Sequence, residues 1–239
     1  MKYSDSLVII PTFNEKENIE RMIEKVFSLD KPFDVLIVDD GSPDGTGQIV
    51  KNIQKKHPEK LHLIERTGKQ GLGTAYITGF KYALKNKFDF IFEMDADFSH
   101  NPDDLIRLHE ACSEKGADLS VGSRYVTGGK IENWPLNRIF MSYFASVYVR
   151  IVLGIKIKDT TAGFKCYTRK VLETIDLDAI RFKGYAFQIE MKYTALLHGF
   201  RVEEVPITFI DRVLGASKMN SKIFKEAFLG VLLLTGKEV

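Results

Sequence analysis

Short apolar runs alternate along this chain with stretches in which apolar residues recur every three or four positions. The runs are residues 7–10 (Leu-Val-Ile-Ile), 35–38 (Val-Leu-Ile-Val), 61–64, 88–94 and 119–121. They have strand length and are bounded by turn residues, as buried strands are. Pro11 ends the first run, and Asp39, Asp40 and Gly41 end the second. Ile19, Ile23 and Val26 repeat at helical spacing behind Asn14, which has N-cap chemistry, and Ile49, Val50 and Ile53 do so behind Asp44. The alternation predicts an α/β fold with a mostly parallel sheet and helices on both faces.

Such sheets bind ligands beyond the carboxyl ends of their strands. Three polar clusters fall there and are expected to converge: residues 11–15, residues 39–45 and residues 95–97. Asp95 and Asp97, two apart in extended backbone, point to one side, with Ala96 between them. Their mutual repulsion is relieved by a cation, and Mg²⁺ takes one or two carboxylates together with phosphate oxygens. An isolated Asp-x-Asp is also an ordinary polar turn, but its place beside two other acidic loops favours the cation. Asp39 and Asp40 suit hydrogen bonds from a nucleobase or a ribose, while residues 43–45 read equally well as a plain turn. Gly68, Gly71 and Gly73 do not form a P-loop, and no Gly-x-Gly-x-x-Gly follows the first strand, which disfavours a dehydrogenase. Two readings of Gly71 and Gly73 stay open, a helix start close to a ligand or a simple loop.

Beyond about residue 130 the pattern changes. An aromatic and branched stripe at 139–152 fits either core or a groove for a lipid chain at a membrane surface. A second stripe at 223–231, with Lys218, Lys222 and Lys225 nearby, leans toward the membrane surface. No repeat or linker separates the halves, so residues 126–239 are expected to extend the domain begun by residues 1–125. No segment reads as a signal peptide, and the apolar run 227–234 is short of the roughly 20 residues of a bilayer span. Among the 239 residues, 34 basic side chains against 32 acidic ones leave no electrostatic footprint for nucleic acid. Cys112 and Cys166 are far apart, and the histidines show no zinc pattern, so a reducing compartment without disulfide or structural zinc is expected.

Several segments together carry a resemblance: residues 11–15, 39–46, 71–75, 95–97, 122–125 (Gly-Ser-Arg-Tyr), 159–165 and 212–219, with Trp134 followed by Arg138. They resemble the inverting nucleotide-sugar glycosyltransferases of GT-A fold, a Rossmann-like architecture, and more narrowly the dolichol- or polyprenol-phosphate mannosyltransferases. The resemblance implies GDP-mannose as donor and a polyprenyl phosphate as acceptor, with inversion at the anomeric carbon. It implies that residues 1–125 serve the nucleotide-sugar and residues 126–239 the acceptor and membrane, through C-terminal amphipathic helices. Pro11, Phe13, Glu15, Asp39, Asp40 and Gly71 would line the donor pocket. Asp95 and Asp97, with Ala96 between them and Ser99 nearby, would hold Mg²⁺ or Mn²⁺; some relatives have Gln where this chain has Ser99. A peripheral enzyme on the cytoplasmic face is implied, in some relatives anchored by membrane-embedded subunits.

A phosphate acceptor is already anionic, its second ionisation lying near about 6, so it needs cations rather than a base. Arg124, Arg138, Arg212 and Lys218 are the candidates, and Glu190 is expected to orient the site rather than take a proton. Two rival readings are the same transfer from a UDP-sugar and a non-catalytic nucleotide-binding subunit.

Overall fold

The computed structural model describes residues 4–212 and 230–237. Along the first half run β1 (Ser6–Thr12), α1 (Ile19–Phe27), β2 (Asp34–Asp39), α2 (Thr46–Gln54), β3 (Leu61–Glu65), α3 (Leu72–Lys85), β4 (Phe90–Glu93), α4 (Asp104–Ser113) and β5 (Leu119–Ser123). The second half adds β6 (Lys130–Glu132), α5 (Leu136–Leu153), β7 (Lys165–Thr168), α6 (Arg169–Thr174), α7 (Ala186–Leu197), β8 (Val202–Pro206) and β9 (Thr208–Ile210). Seven strands form one sheet in the order β3-β2-β1-β4-β7-β5-β8, and β6 pairs with β9. Every pairing in the large sheet is parallel except those of β7, which runs against both β4 and β5. The mostly parallel sheet expected from the sequence is therefore present, completed by strands from both halves of the chain.

Side chains alternate across a strand, and β1 feeds two cores. Val8 and Ile10 pack with Ile19, Ile23 and Val26 of α1, Val50 of α2 and Leu108 of α4. Leu7 and Ile9 pack on the other face with Tyr76 and Phe80 of α3 and Phe187 and Met191 of α7. All these side chains are buried, so the ends of β1, β2 and β4 are fixed by packing on both faces.

The cap expected at Asn14 is not formed. Asn14 is left-handed (φ 56°), and α1 begins only after the Glu15 carbonyl has accepted the N–H groups of Asn18 and Ile19 at 3.0 and 2.9 Å. Asp44 does receive the Thr46 N–H, at 3.0 Å, from just outside the first turn of α2.

The stripe at 139–152 falls within α5, and it is part core and part surface. Ser146, Val149 and Leu153 are buried, with Val149 and Leu153 packed on Ile189 and Tyr193 of α7 and on Val231 and Leu234. Leu136, Phe140, Phe144 and Ile151 remain 58–76% exposed. Among the described residues this is the helix long and apolar enough, by length and composition, to cross a membrane. Asn137, Arg138, Ser142, Ser146 and Arg150 interrupt its apolar letters without interrupting the helix. Of the stripe at 223–231, Gly230 and Val231 are described; Lys218, Lys222 and Lys225 lie outside the described residues.

Candidate active site

The polar clusters after β1, β2 and β4 converge as expected. They line one cleft of about 1270 Å³. Pro11, Phe13, Glu15, Asp40, Gly71, Asp95, Ala96, Asp97, Ser99, Arg124, Arg138 and Arg212 all reach it, and Phe140, Phe144 and Tyr148 of α5 line its apolar part.

Asp39 takes a different place. It is 2% exposed, and its carboxylate accepts hydrogen bonds from the Thr12 hydroxyl (2.8 Å) and from the N–H and hydroxyl of Ser42 (2.9 and 2.6 Å). The structure makes it the tie between the β1 and β2 loops. Asp40 does face the cleft, held by Arg66, whose Nε donates at 2.6 Å and whose Nη2 stands 2.5 Å from the same oxygen. Arg66 also donates to Thr74 Oγ1 at 2.8 Å, joining the Asp40 loop to the start of α3. Sequence reasoning misses this arginine, because its partner lies 26 residues away and no local pattern marks the pair.

The open question over Gly71 and Gly73 is settled by close packing of backbone. A Cβ on Gly73 would stand 2.8 Å from the Phe182 carbonyl oxygen, and the Gly73 N–H donates to the Lys183 carbonyl at 2.8 Å. These glycines bring residues 182–184 against the start of α3, and Lys183 and Gly184 there line the cleft.

Asp95 and Asp97 leave β4 with different surroundings. The Asp95 side chain is 40% exposed. Burial of its surroundings and the neighbouring Asp97 charge raise its carboxyl to about 7. At Asp97 burial acts in the same direction, but the Ser99 hydroxyl and Arg212 outweigh it, and its carboxyl lies below the usual range. Asp97 Oδ1 accepts the Ser99 N–H at 3.0 Å and also the Ser99 hydroxyl; Oδ2 lies 2.5 Å from Arg212 Nη2. Ser99 therefore holds Asp97 in place through both donors, and it lines the cleft beside the pair. Arg212 also lies 3.7 Å from Glu15. His100 is buried against Phe164 and accepts the Asp95 N–H on Nδ1 at 3.3 Å. Burial lowers its imidazole to about 4, so the ring is neutral and accepts.

Beneath the pair, Glu93 is fully buried. It is 3.0 Å from Lys165 Nζ and accepts hydrogen bonds from the Tyr167 hydroxyl and Gln188 Nε2, each at 2.8 Å.

The cationic side chains divide in two. Arg124 is clamped by Asp159: Nε and Nη2 each donate at 2.7 Å, the Arg124 N–H donates at 3.0 Å, and Nη2 also reaches Thr161 at 2.9 Å. The Asp159 side chain is wholly buried. Arg138 instead lies 3.9 Å over the Trp134 ring and reaches both Asp211 oxygens at 3.0 Å, with both partners at least a quarter exposed. Glu190 accepts the N–H groups of Arg181 and Phe182 at 2.9 and 3.0 Å and pairs with Lys237 at 2.9 Å, which ties down the loop that carries Gly184. Among the described residues no group of three or more His, Cys, Asp and Glu side chains forms a metal cage. A carboxylate pair with one member open to a cleft suits a hard cation that completes its shell with phosphate oxygens.

Residues 7–176 match the model of glycosyl transferase family 2, and the chain belongs to that family. It is therefore a glycosyltransferase, on the GT-A fold. Two bacterial proteins are each 47% identical to it. One is a polyprenol monophosphomannose synthase of Mycolicibacterium smegmatis, matched over 95% of this chain and 85% of that protein. The other is an undecaprenyl-phosphate mannosyltransferase of Micrococcus luteus, matched over 94% of this chain and 91% of that protein. Solved structures share the fold. A mannosyltransferase from Pyrobaculum calidifontis, in complex with GDP-Man and Mn²⁺, superposes with a TM-score of 0.60 at 18% identity, over 98% of this chain and 70% of that one. A glucosyl-3-phosphoglycerate synthase from Mycobacterium tuberculosis, in complex with Mn²⁺, UDP and glucosyl-3-phosphoglycerate, gives 0.70 at 15% identity, over 98% of this chain and 81% of that one.

Proposed function

We propose that this enzyme transfers mannose from GDP-mannose to a polyprenyl phosphate, with inversion and with a divalent cation, at the cytoplasmic surface of a membrane. The observation that carries the reading is one continuous cleft with three chemistries: carboxylates at the ends of β1, β2 and β4, arginines beside them, and exposed aromatic side chains of α5. The two relatives at 47% identity, one named a polyprenol monophosphomannose synthase and the other an undecaprenyl-phosphate mannosyltransferase, support mannose and a prenyl phosphate as the groups joined.

Asp40, held by Arg66, is assigned to the nucleoside, with Pro11, Phe13, Glu15 and Gly71 shaping the pocket around it. Mg²⁺ or Mn²⁺ held by Asp95 and Asp97 would neutralise charge on the departing diphosphate. The acceptor phosphate brings its own negative oxygen as nucleophile, so no base is required. The engagement of Glu190 with backbone N–H groups and Lys237 agrees with that. Arg138 and Arg212 are assigned to the acceptor phosphate, as forked donors suit it. Arg124, held by Asp159 through Nε and Nη2, is assigned as a positioning residue: its guanidinium lies 5.3 to 5.5 Å from the rings of Tyr125, Trp134 and Phe209 and fixes the wall beside Arg138. Catalysis then rests on alignment and charge.

A donor panel tests the reading. With one prenyl phosphate, GDP-mannose is expected to be turned over at least about a hundredfold faster than UDP-glucose or UDP-GlcNAc, the margin available when buried polar groups lose their partners. Faster transfer from either UDP-sugar defeats the assigned donor. The lipid side is tested through α5, where Phe140, Phe144 and Ile151 are 58, 62 and 76% exposed. Their joint replacement by Ser is expected to weaken binding to phospholipid vesicles by about tenfold or more, from the apolar area removed. Unchanged vesicle sedimentation would exclude this face as the lipid contact.

A further inference from the structure

We infer that Arg212 is the resident counter-ion of Asp97 and gives up that carboxylate when a divalent cation binds, so that loading the donor side frees this guanidinium for the acceptor phosphate. The inference rests on Asp95 and Asp97 as the metal ligands.

It starts from the occupancy of Asp97. Oδ1 is taken by the N–H and hydroxyl of Ser99, and Oδ2 by Arg212 Nη2 at 2.5 Å. The side chain is 4% exposed against 40% for Asp95. Ser99 fills both acceptor sites of Oδ1 and the Arg212 guanidinium stands at Oδ2, so a cation approaching this nearly buried carboxylate meets Arg212 there. Ser99 is two residues away in the same turn, and its N–H is fixed by the backbone. Arg212 comes from a segment 115 positions later in the chain, and its long side chain is 21% exposed. The guanidinium is the partner that can leave.

Charge points the same way. Arg212 lies between Asp97 and Glu15, with Glu15 at 3.7 Å. A doubly positive ion held by Asp95 and Asp97 would stand close to this guanidinium, and like charges so near one another repel. The two cations thus compete for one carboxylate. Their competition is reciprocal, since whatever weakens one by occupying the site weakens the other equally.

The place of Arg212 in the chain gives the exchange a purpose. Asp211, its neighbour, holds Arg138 through both oxygens at 3.0 Å and accepts the Arg212 N–H at 3.2 Å. The two arginines assigned to the acceptor phosphate are therefore joined at Asp211, and one of them is engaged at the donor side. Acceptor phosphate meets its full complement of positive charge only after Arg212 leaves Asp97, which favours donor before acceptor. Arg124 cannot play this part, because Asp159 clamps it through three donors in the interior.

The test is Mn²⁺ binding to the purified full chain without nucleotide, read from the paramagnetic resonance signal of free Mn²⁺. Arg212→Gln is expected to bind Mn²⁺ roughly tenfold more tightly than wild type, within the usual span of coupling between competing ligands, although its transfer activity falls. Arg212→Lys keeps the charge and is expected to stay near wild type. Arg138→Gln removes a charge from the same cleft but not from Asp97, and is expected to change Mn²⁺ affinity less than about twofold. Arg212→Gln binding Mn²⁺ no better than wild type, or failing with wild type to bind it at all, overturns the exchange. An equal gain in Arg138→Gln would also overturn it, showing a general charge effect. Separately, Asp95→Asn and Asp97→Asn binding Mn²⁺ as wild type does would remove the metal assignment itself.

Discussion

Asp95→Asn and Asp97→Asn are each expected to lower mannosyl transfer by about 10²–10³-fold, the loss typical when one group that stabilises transition-state charge is removed. The substitutions are nearly isosteric. An amide in place of the Asp97 carboxylate would still accept from Ser99 through its carbonyl oxygen. Replacing the Asp95 side chain leaves in place the backbone N–H that His100 accepts, so folding should survive in both. The two variants are not equivalent, however. Asp95 carries the carboxyl raised to about 7, a group with too little positive charge around it, whereas Asp97 is already compensated by Ser99 and Arg212. Asp95→Asn therefore removes repulsion as well as a ligand, and its thermal stability should equal or exceed that of wild type. Asp97→Asn leaves Arg212 with less negative charge beside it and should be slightly less stable. Initial rates at saturating donor, together with thermal unfolding, check both. Full turnover by both variants would mean that the pair is only a turn.

The largest effect on stability is expected at Lys165. Lys165→Met would leave Glu93 charged, fully buried and without its ion-pair partner, and removing one member of a buried pair costs about 3–5 kcal/mol. Lys192 does not stand in. Burial pushes its ammonium well below the usual lysine range, and its Nζ donates to the Ala162 carbonyl at 2.7 Å. The double variant Glu93→Gln with Lys165→Met removes both charges and keeps an amide for Tyr167 and Gln188 to meet. It should recover most of the loss. Denaturant unfolding of the two variants measures the difference. A single variant within about 1 kcal/mol of wild type would mean that the glutamate finds water or a proton at little cost.

The same pair shows where reading the chain letter by letter stops. β1 and β2 are legible because continuous apolar runs end abruptly at Pro11 and Asp39, and β4 because its aromatic and branched residues, though they enclose Glu93, stop just before Asp95. Convergence of the three loops follows from topology alone. β7 is not legible: it has four residues and contains Lys165, which looks like a surface residue until Glu93 lies opposite it in register. α7 is hidden for a related reason, since Gln188, Glu190 and Lys192 are buried and bonded to partners far along the chain. In the site, residue types are legible and their engagements are not. Asp39 and Arg124 have the right chemistry for a ligand, yet Thr12 and Ser42 engage the first and Asp159 the second within the protein. Only pairing in three dimensions separates side chains that face a ligand from those that build the wall behind it.

β7 also acts as a spacer. It runs backward between β4 and β5, so those two strands are parallel to each other and release Asp95 and Gly122-Ser123 at the same rim, two inter-strand steps apart. At roughly 4.8 Å per step the two strand ends stand about 10 Å apart. Backbone hydrogen bonds set that spacing, so substitutions in the loops beyond the strand ends change what the cleft presents without moving the two ends apart.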